Sequence, residues 1–143
     1  MTRSQELLLQ GHETLLHGDT HVGNTYVLPG EKGGLLDFQL LVKGNPLIDV
    51  SYYIIAALDT DSRSKHQHEL LQYYLDQLKE LGIAAMTFDS AWQDYRLSSL
   101  WGLVIGWLIT PPVNYGEDIT NANIERTAKA VVDLDVYSLL ETA

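Results

Sequence analysis

Two short stretches decide the reading of this chain: His17-Gly18-Asp19-Thr20-His21-Val22-Gly23-Asn24 and Leu35-Leu36-Asp37-Phe38-Gln39. Around them lie three short apolar runs, Thr14 to Leu16, Thr25 to Leu28 and Gly34 to Phe38, which predict short strands. Pro29-Gly30-Glu31-Lys32-Gly33-Gly34 supplies the turn between the last two, so the region predicts a hairpin. A hairpin folds its ends together, which brings Asn24 at the entrance towards Asp37 at the exit. Both side chains offer hard oxygen atoms. Magnesium takes one or two carboxylates together with substrate phosphates, so this pair suits a metal-phosphate site better than an all-protein cage. Asp19, in the same loop, then stands where a carboxylate accepts or orients the proton of an attacking hydroxyl.

The order and spacing of these residues resemble the catalytic half of the protein-kinase-like phosphotransferases, in particular the aminoglycoside phosphotransferase and choline or ecdysteroid kinase-like superfamily. The kinase catalytic loop reads H-R-D, four residues, Asn, and its metal-binding motif reads D-F-G. His17-Gly18-Asp19 followed by Asn24 keeps that spacing, with Gly in place of Arg, and Asp37-Phe38-Gln39 stands in place of D-F-G. Gly44-Asn45-Pro46-Leu47-Ile48-Asp49-Val50 is similar to the superfamily's G-x-P-x-x-D segment, which opens a helix beneath the catalytic loop. The resemblance spans Thr14 to about Tyr53. It implies that Asp19 is the catalytic base or hydroxyl-orienting residue and that Asn24 and Asp37 hold Mg2+ and, through it, the co-substrate ATP. It also implies that His17 buttresses the loop and that Asp49 accepts hydrogen bonds from the loop backbone. The implied reaction moves the ATP γ-phosphate to a hydroxyl of a small molecule.

The superfamily also uses an N-terminal nucleotide lobe with a strand lysine, a helix glutamate and a glycine-rich loop. Only sixteen residues precede His17 in this sequence, so residues 1–143 are expected to form a single C-terminal lobe, an isolated fragment without its nucleotide lobe. Residues 1–45 would carry the catalytic loop and hairpin, and residues 46–143 the helical part. The expected fold class is α+β, mostly helical. Leu70, Leu71, Tyr74, Leu75, Leu78 and Leu81 predict a helix over Ser64 to Leu81 stopped by Gly82. A second helix is expected from about Asp89 to Ile109, ended before Pro111-Pro112, and a third over roughly Thr120 to Leu140. Trp101 and Trp107 fall on the apolar face of the second, and Tyr52, Tyr53, Tyr73 and Tyr74 are expected to pack with their hydroxyls near the surface.

Two other readings compete. His17, Asp19 and His21 also form H-x-D-x-H, which on a strand would set a two-histidine, one-carboxylate metal site on one face, as in a metal-dependent hydrolase or oxygenase. A non-catalytic interaction or regulatory module that keeps the fold is the other. His21 itself suits either contact with phosphate or packing within the loop.

Composition bounds the partners. The 143 residues carry 9 Lys and Arg against 19 Asp and Glu, a formal charge of −10. Such a surface repels phosphate backbones and anionic lipid, so no nucleic acid and no membrane partner is expected. With no Cys there is no disulfide and no thiolate zinc site, which fits a reducing, cytoplasmic setting. The N-terminal three-Leu run is too short for the core of a signal peptide. An apolar cleft left open by a missing lobe leads to an expectation of self-association.

Overall fold

The computed structural model describes Glu6, Leu8 and residues 11–30, 32–83 and 86–141. Two antiparallel ribbons are nested one inside the other. Strand β1 (Thr14–Leu16) pairs with β4 (Val42–Gly44), Leu16 opposite Val42, and between them β2 (Thr25–Leu28) pairs with β3 (Lys32–Leu35), Thr25 opposite Leu35. This topology has a direct consequence for the site. The loop from β1 to β2 and the loop from β3 to β4 leave and enter paired strands, so residues 17–24 and 36–41 are forced to run side by side. The strand expected over Gly34 to Phe38 is shifted: it begins at Lys32 and ends at Leu35. The Leu36 N–H keeps the register with one more bond, to the Asn24 carbonyl at 3.0 Å, but the Asn24 N–H turns back to the His21 carbonyl at 2.9 Å and Asp37 adopts a left-handed backbone with φ 61°, which ends extended pairing.

Behind the loops lies a helical body. Helix α1 (Leu47–Ala57) buries Leu47, Ile48, Ser51, Tyr52, Ile54, Ile55 and Ala56, a wide apolar face that leaves one strip, with Tyr53, towards solvent. Its entry is fixed by buried Asn45, whose side-chain oxygen accepts the Leu47 N–H at 2.9 Å. Helix α2 (Thr60–Glu80) starts four residues earlier than expected because Asp59 caps it, accepting the Ser62 N–H at 3.0 Å. It ends at Gly82, whose φ of 75° suits glycine. Only Arg63, Gln67, Leu71 and Leu75, one i, i+4 row, are buried on α2.

The second expected helix is two pieces. Helix α3 (Phe88–Trp101) passes without a break into a π-helical segment over Gly102–Leu108. The wide turns lie against Tyr52 of α1: a Cβ at Gly106 would stand 2.5 Å from the Tyr52 hydroxyl, and one at Gly102 3.0 Å from its ring. The third expected helix is also divided, into α4 (Glu117–Asp133) and α5 (Val136–Glu141). Asp135 takes φ 46° between them. The carbonyls released there are taken up by Arg96 of α3, which donates to Leu134 O at 2.5 Å and to Asp135 O at 2.7 Å.

The core is formed where α1 packs on α3, with Leu16 from β1, Leu71 and Leu75 from α2, and Ala130, Val131 and Leu134 from α4 and its end. The result is an α+β fold, mostly helical, with small antiparallel ribbons at one edge. Those ribbons expose Leu15, Val27 and Leu28, and the loop from β3 to β4 exposes Leu36 and Phe38. No described helix is long and apolar enough to cross a membrane.

Candidate active site

The 17–24 loop is tied down from below by α1. Asp49, in the first turn of that helix, accepts the His17 N–H at 2.7 Å and the Gly18 N–H at 3.0 Å, one on each carboxylate oxygen. The Thr20 hydroxyl donates to the Asp49 carbonyl at 2.8 Å. Burial raises the Asp49 carboxyl above its ordinary range, and the two N–H donors pull in the opposite direction. Trp101 closes the far side, its indole N–H directed to Gly18 O at 3.3 Å.

Gly18 occupies the position where the kinase pattern has Arg, and the geometry accounts for it. Its φ is 82°, and a Cβ there would lie 2.4 Å from the Leu40 carbonyl oxygen. The catalytic-type loop and the returning 36–41 loop therefore touch backbone to backbone at this point.

Asn24 stitches the loop to itself and to its neighbour. Its side-chain amide donates to Asp19 O at 2.9 Å and to Asp19 Oδ2 at 3.2 Å, while its backbone carbonyl accepts from Leu36, the residue before Asp37. With both amide hydrogens directed at Asp19, Asn24 keeps its side-chain oxygen as a neutral acceptor. Asp37 is exposed and makes no hydrogen bond or ion pair with another described residue. The site thus contains two oxygen donors, the Asn24 amide and the Asp37 carboxylate, that are not spent on the fold. Asp19 is half-buried, bonded to the Asn24 amide on one side, and the Tyr52 hydroxyl of α1 reaches its Oδ1 at 3.4 Å.

The histidines have their roles fixed by backbone donors. His17 accepts the Asp19 N–H on Nδ1 at 3.3 Å, so its Nε2 carries the proton and donates to Leu36 O at 2.8 Å. Its ring also packs against Phe38, centroids 4.8 Å apart. His21 accepts the Gly23 N–H on Nδ1 at 3.0 Å, which turns Nε2–H towards the Tyr115 hydroxyl at 3.3 Å and Asp19 Oδ2 at 3.7 Å. Burial lowers the His21 pKa, and the Asp19 carboxylate opposes that shift. His21 is therefore a neutral ring at neutral pH, packed edge-on to Trp107 and Tyr115.

These contacts correct the H-x-D-x-H reading. His17, Asp19 and His21 do not lie on a strand, and each imidazole lone pair that a metal would need is already accepting a backbone N–H. Among the described residues no group of three His, Asp or Glu converges as a metal cage. The sequence reading also missed Tyr52, Trp101 and Tyr115. Tyr52 is 1% exposed, with its hydroxyl on Asp19 instead of near the surface, and burial together with Asp19 raises its pKa. Its one-turn offset from Asp49 on the same helix was a signal that it faces the same loop.

A loop with a held aspartate and unspent Asn and Asp oxygens, carried over a helix-start carboxylate, is the arrangement a kinase-like phosphotransferase would need. The chain belongs to the ecdysteroid kinase-like family, whose sequence model matches residues 1–85 of the 143 and so takes in every residue of this site between His17 and Tyr52. No curated protein and no solved structure matches the chain.

Proposed function

We propose that this chain carries the hydroxyl-activating and metal-holding part of an ATP-dependent phosphotransferase that acts on a small hydroxylated molecule. The observation that carries the reading is the Asn24 stitch. One side chain holds Asp19, and the same residue's carbonyl holds the segment that presents Asp37. Asp19 would accept the hydrogen bond of the acceptor hydroxyl and take its proton as that oxygen bonds to the γ-phosphorus and the bond from phosphorus to the β–γ bridging oxygen breaks, releasing ADP. The Asn24 oxygen and the Asp37 carboxylate would hold magnesium, whose charge, when bound, offsets that of the ATP phosphates. Asp49 and His17 keep the loop in shape. Phosphoryl transfer asks little covalent chemistry of a protein and much positioning, which is what these contacts supply.

The site residues are acidic, amide and aromatic, so a cationic group facing the phosphates has to come from a nucleotide-binding lobe. The exposed apolar side chains of the inner ribbon and of the loop after it, Val27, Leu28, Leu36 and Phe38, suit a surface that such a lobe covers; left exposed, they favour self-association. The test is transfer of labelled γ-phosphate from Mg–ATP to a panel of hydroxylated small molecules, with a nucleotide-binding lobe of this family fused to the chain. The expected result is transfer that Asp19→Asn lowers by about 10²-fold to 10⁴-fold while Mg–ATP affinity stays near the wild-type value. Turnover of Asp19→Asn within about threefold of wild type, on the scale of a general-base deletion, removes Asp19 from this role.

A further inference from the structure

The Asp19 carboxylate is held at both oxygens, and by different parts of the fold. Oδ2 receives the Asn24 amide from its own loop at 3.2 Å, and Oδ1 receives the Tyr52 hydroxyl from α1 at 3.4 Å. The second distance is long for an O–H···O bond, yet the hydroxyl has no other hydrogen-bond partner among the described residues. A buried tyrosine hydroxyl ordinarily finds a partner, and Asp19 is the one this fold offers. The ring is set there by a notch in the π-helical segment. Gly106 and Gly102 leave room that side chains would fill, with a Cβ at Gly106 only 2.5 Å from the hydroxyl and 2.7 Å from Cζ. Buried Trp107 and half-buried Trp101 complete the enclosure around the ring. A π-helical stretch is uncommon and occurs often beside functional sites, and here it faces the tyrosine that reaches Asp19.

We infer that Tyr52 is a positioning residue for Asp19, held in register by the Gly102 and Gly106 notch, so that the carboxylate cannot rotate about its Cβ–Cγ bond without losing a contact on each side. This rests on the reading of Asp19 as the hydroxyl-activating group. The Tyr52 hydroxyl reaches the site through Asp19, its one hydrogen-bond partner among the described residues. The role belongs to the hydroxyl and not to the ring: the ring fills the notch in either Tyr or Phe, whereas only Tyr fixes the carboxylate.

The first test needs no substrate. Hydrogen exchange is followed by NMR in the wild-type chain, in Tyr52→Phe and in Gly106→Ala, which keeps the tyrosine but displaces its hydroxyl. Release of Asp19 should speed exchange of the Asn24 side-chain amide about tenfold in both variants, on the scale of one lost hydrogen bond. The His17 and Gly18 backbone amides, bound to Asp49, should keep their wild-type rates and so mark an intact loop. Unchanged Asn24 exchange in Tyr52→Phe overturns the inference. So does equal loss of protection at His17 and Gly18, because that is the signature of a merely structural residue. In the fused-lobe transfer assay, Tyr52→Phe should lower kcat about tenfold with KM for ATP unchanged, and a raised KM at wild-type kcat would count against positioning. Absence of transfer in the wild type would overturn the proposed function, while the exchange measurement would still decide the place of Tyr52.

Discussion

Replacing Asp49 by Ala strands two backbone donors at once, because the His17 and Gly18 N–H groups each bond to one of its oxygens, at 2.7 and 3.0 Å. A buried donor left without a partner costs about 1–3 kcal/mol, and bonds to a charged acceptor lie towards the upper end. Asp49 itself is half-buried, so water entering the vacated space recovers part of the loss, and the pair is expected to cost about 2–3 kcal/mol in all. Asp49→Asn keeps one oxygen but sets an amide NH2 against the second N–H, which places it between Ala and wild type, at about 1–2 kcal/mol. Urea unfolding measures both values, and hydrogen exchange at His17 and Gly18 locates them. The sign with pH is also fixed. Burial raises the Asp49 carboxyl above its ordinary 3.8, so the folded chain binds this proton more tightly than the unfolded one. The stability advantage of wild type over Asp49→Asn is then greatest below that value and shrinks as pH rises through the raised folded value, levelling out beyond it. A loss below about 0.5 kcal/mol in Asp49→Ala, the scale of an unremarkable surface change, or an advantage that grows with pH through that window, would refute the reasoning.

Three other outcomes follow from single contacts. Gly18→Ala meets both a left-handed backbone and the Leu40 carbonyl at 2.4 Å, so it should lose about 3 kcal/mol by urea unfolding, against about 1 kcal/mol for Gly30→Ala, which has a similar φ but open space around it. Arg96→Ala should cost about 1–2 kcal/mol, measured by urea unfolding, because it frees the Leu134 and Asp135 carbonyls at the α4 to α5 break. Asp37→Ala, in the fused-lobe enzyme, should weaken Mg–ATP binding by calorimetry as well as slow transfer, the opposite pattern to Asp19→Asn; unchanged affinity would remove Asp37 from the metal.

What could be read from the sequence was local. Strands β1 and β2 and the body of α2 announce themselves by apolar spacing, Gly82 by its place after that spacing stops, and the Asp19, Asn24, Asp37 and Asp49 set by its order along the chain. Helix starts governed by one cap, such as Asp59 for α2, were legible only as neighbouring residues. Features decided by distant partners were not legible. The end of β3 depends on the Asn24 N–H turning back to the His21 carbonyl and on the left-handed Asp37, the π-helical segment on Tyr52 lying across Gly102 and Gly106, and the α4 to α5 break on Arg96 nearly forty residues away. The same holds at the site. For His21 the sequence leaves phosphate contact and packing within the loop both open, and the second is what the structure shows, because its ring nitrogens are committed to Gly23 and to Tyr115, which is 94 positions along. The sequence reading puts the Tyr52 hydroxyl near the surface, and nothing in the local sequence discloses that the hydroxyl is buried on Asp19.

The central claim is that the Asn24 oxygen and the Asp37 carboxylate face one cation beside Asp19. Titrating the isotopically labelled chain with Mn2+ in the presence of ATP, and reading paramagnetic line broadening residue by residue, tests it most directly. The account predicts broadening strongest at the Asn24 side-chain amide and at Asp37, next at Asp19, and abolished there by Asp37→Ala. Broadening centred on the exposed Glu117 and Asp118 at the start of α4, or broadening at Asn24 that persists in Asp37→Ala, would contradict it.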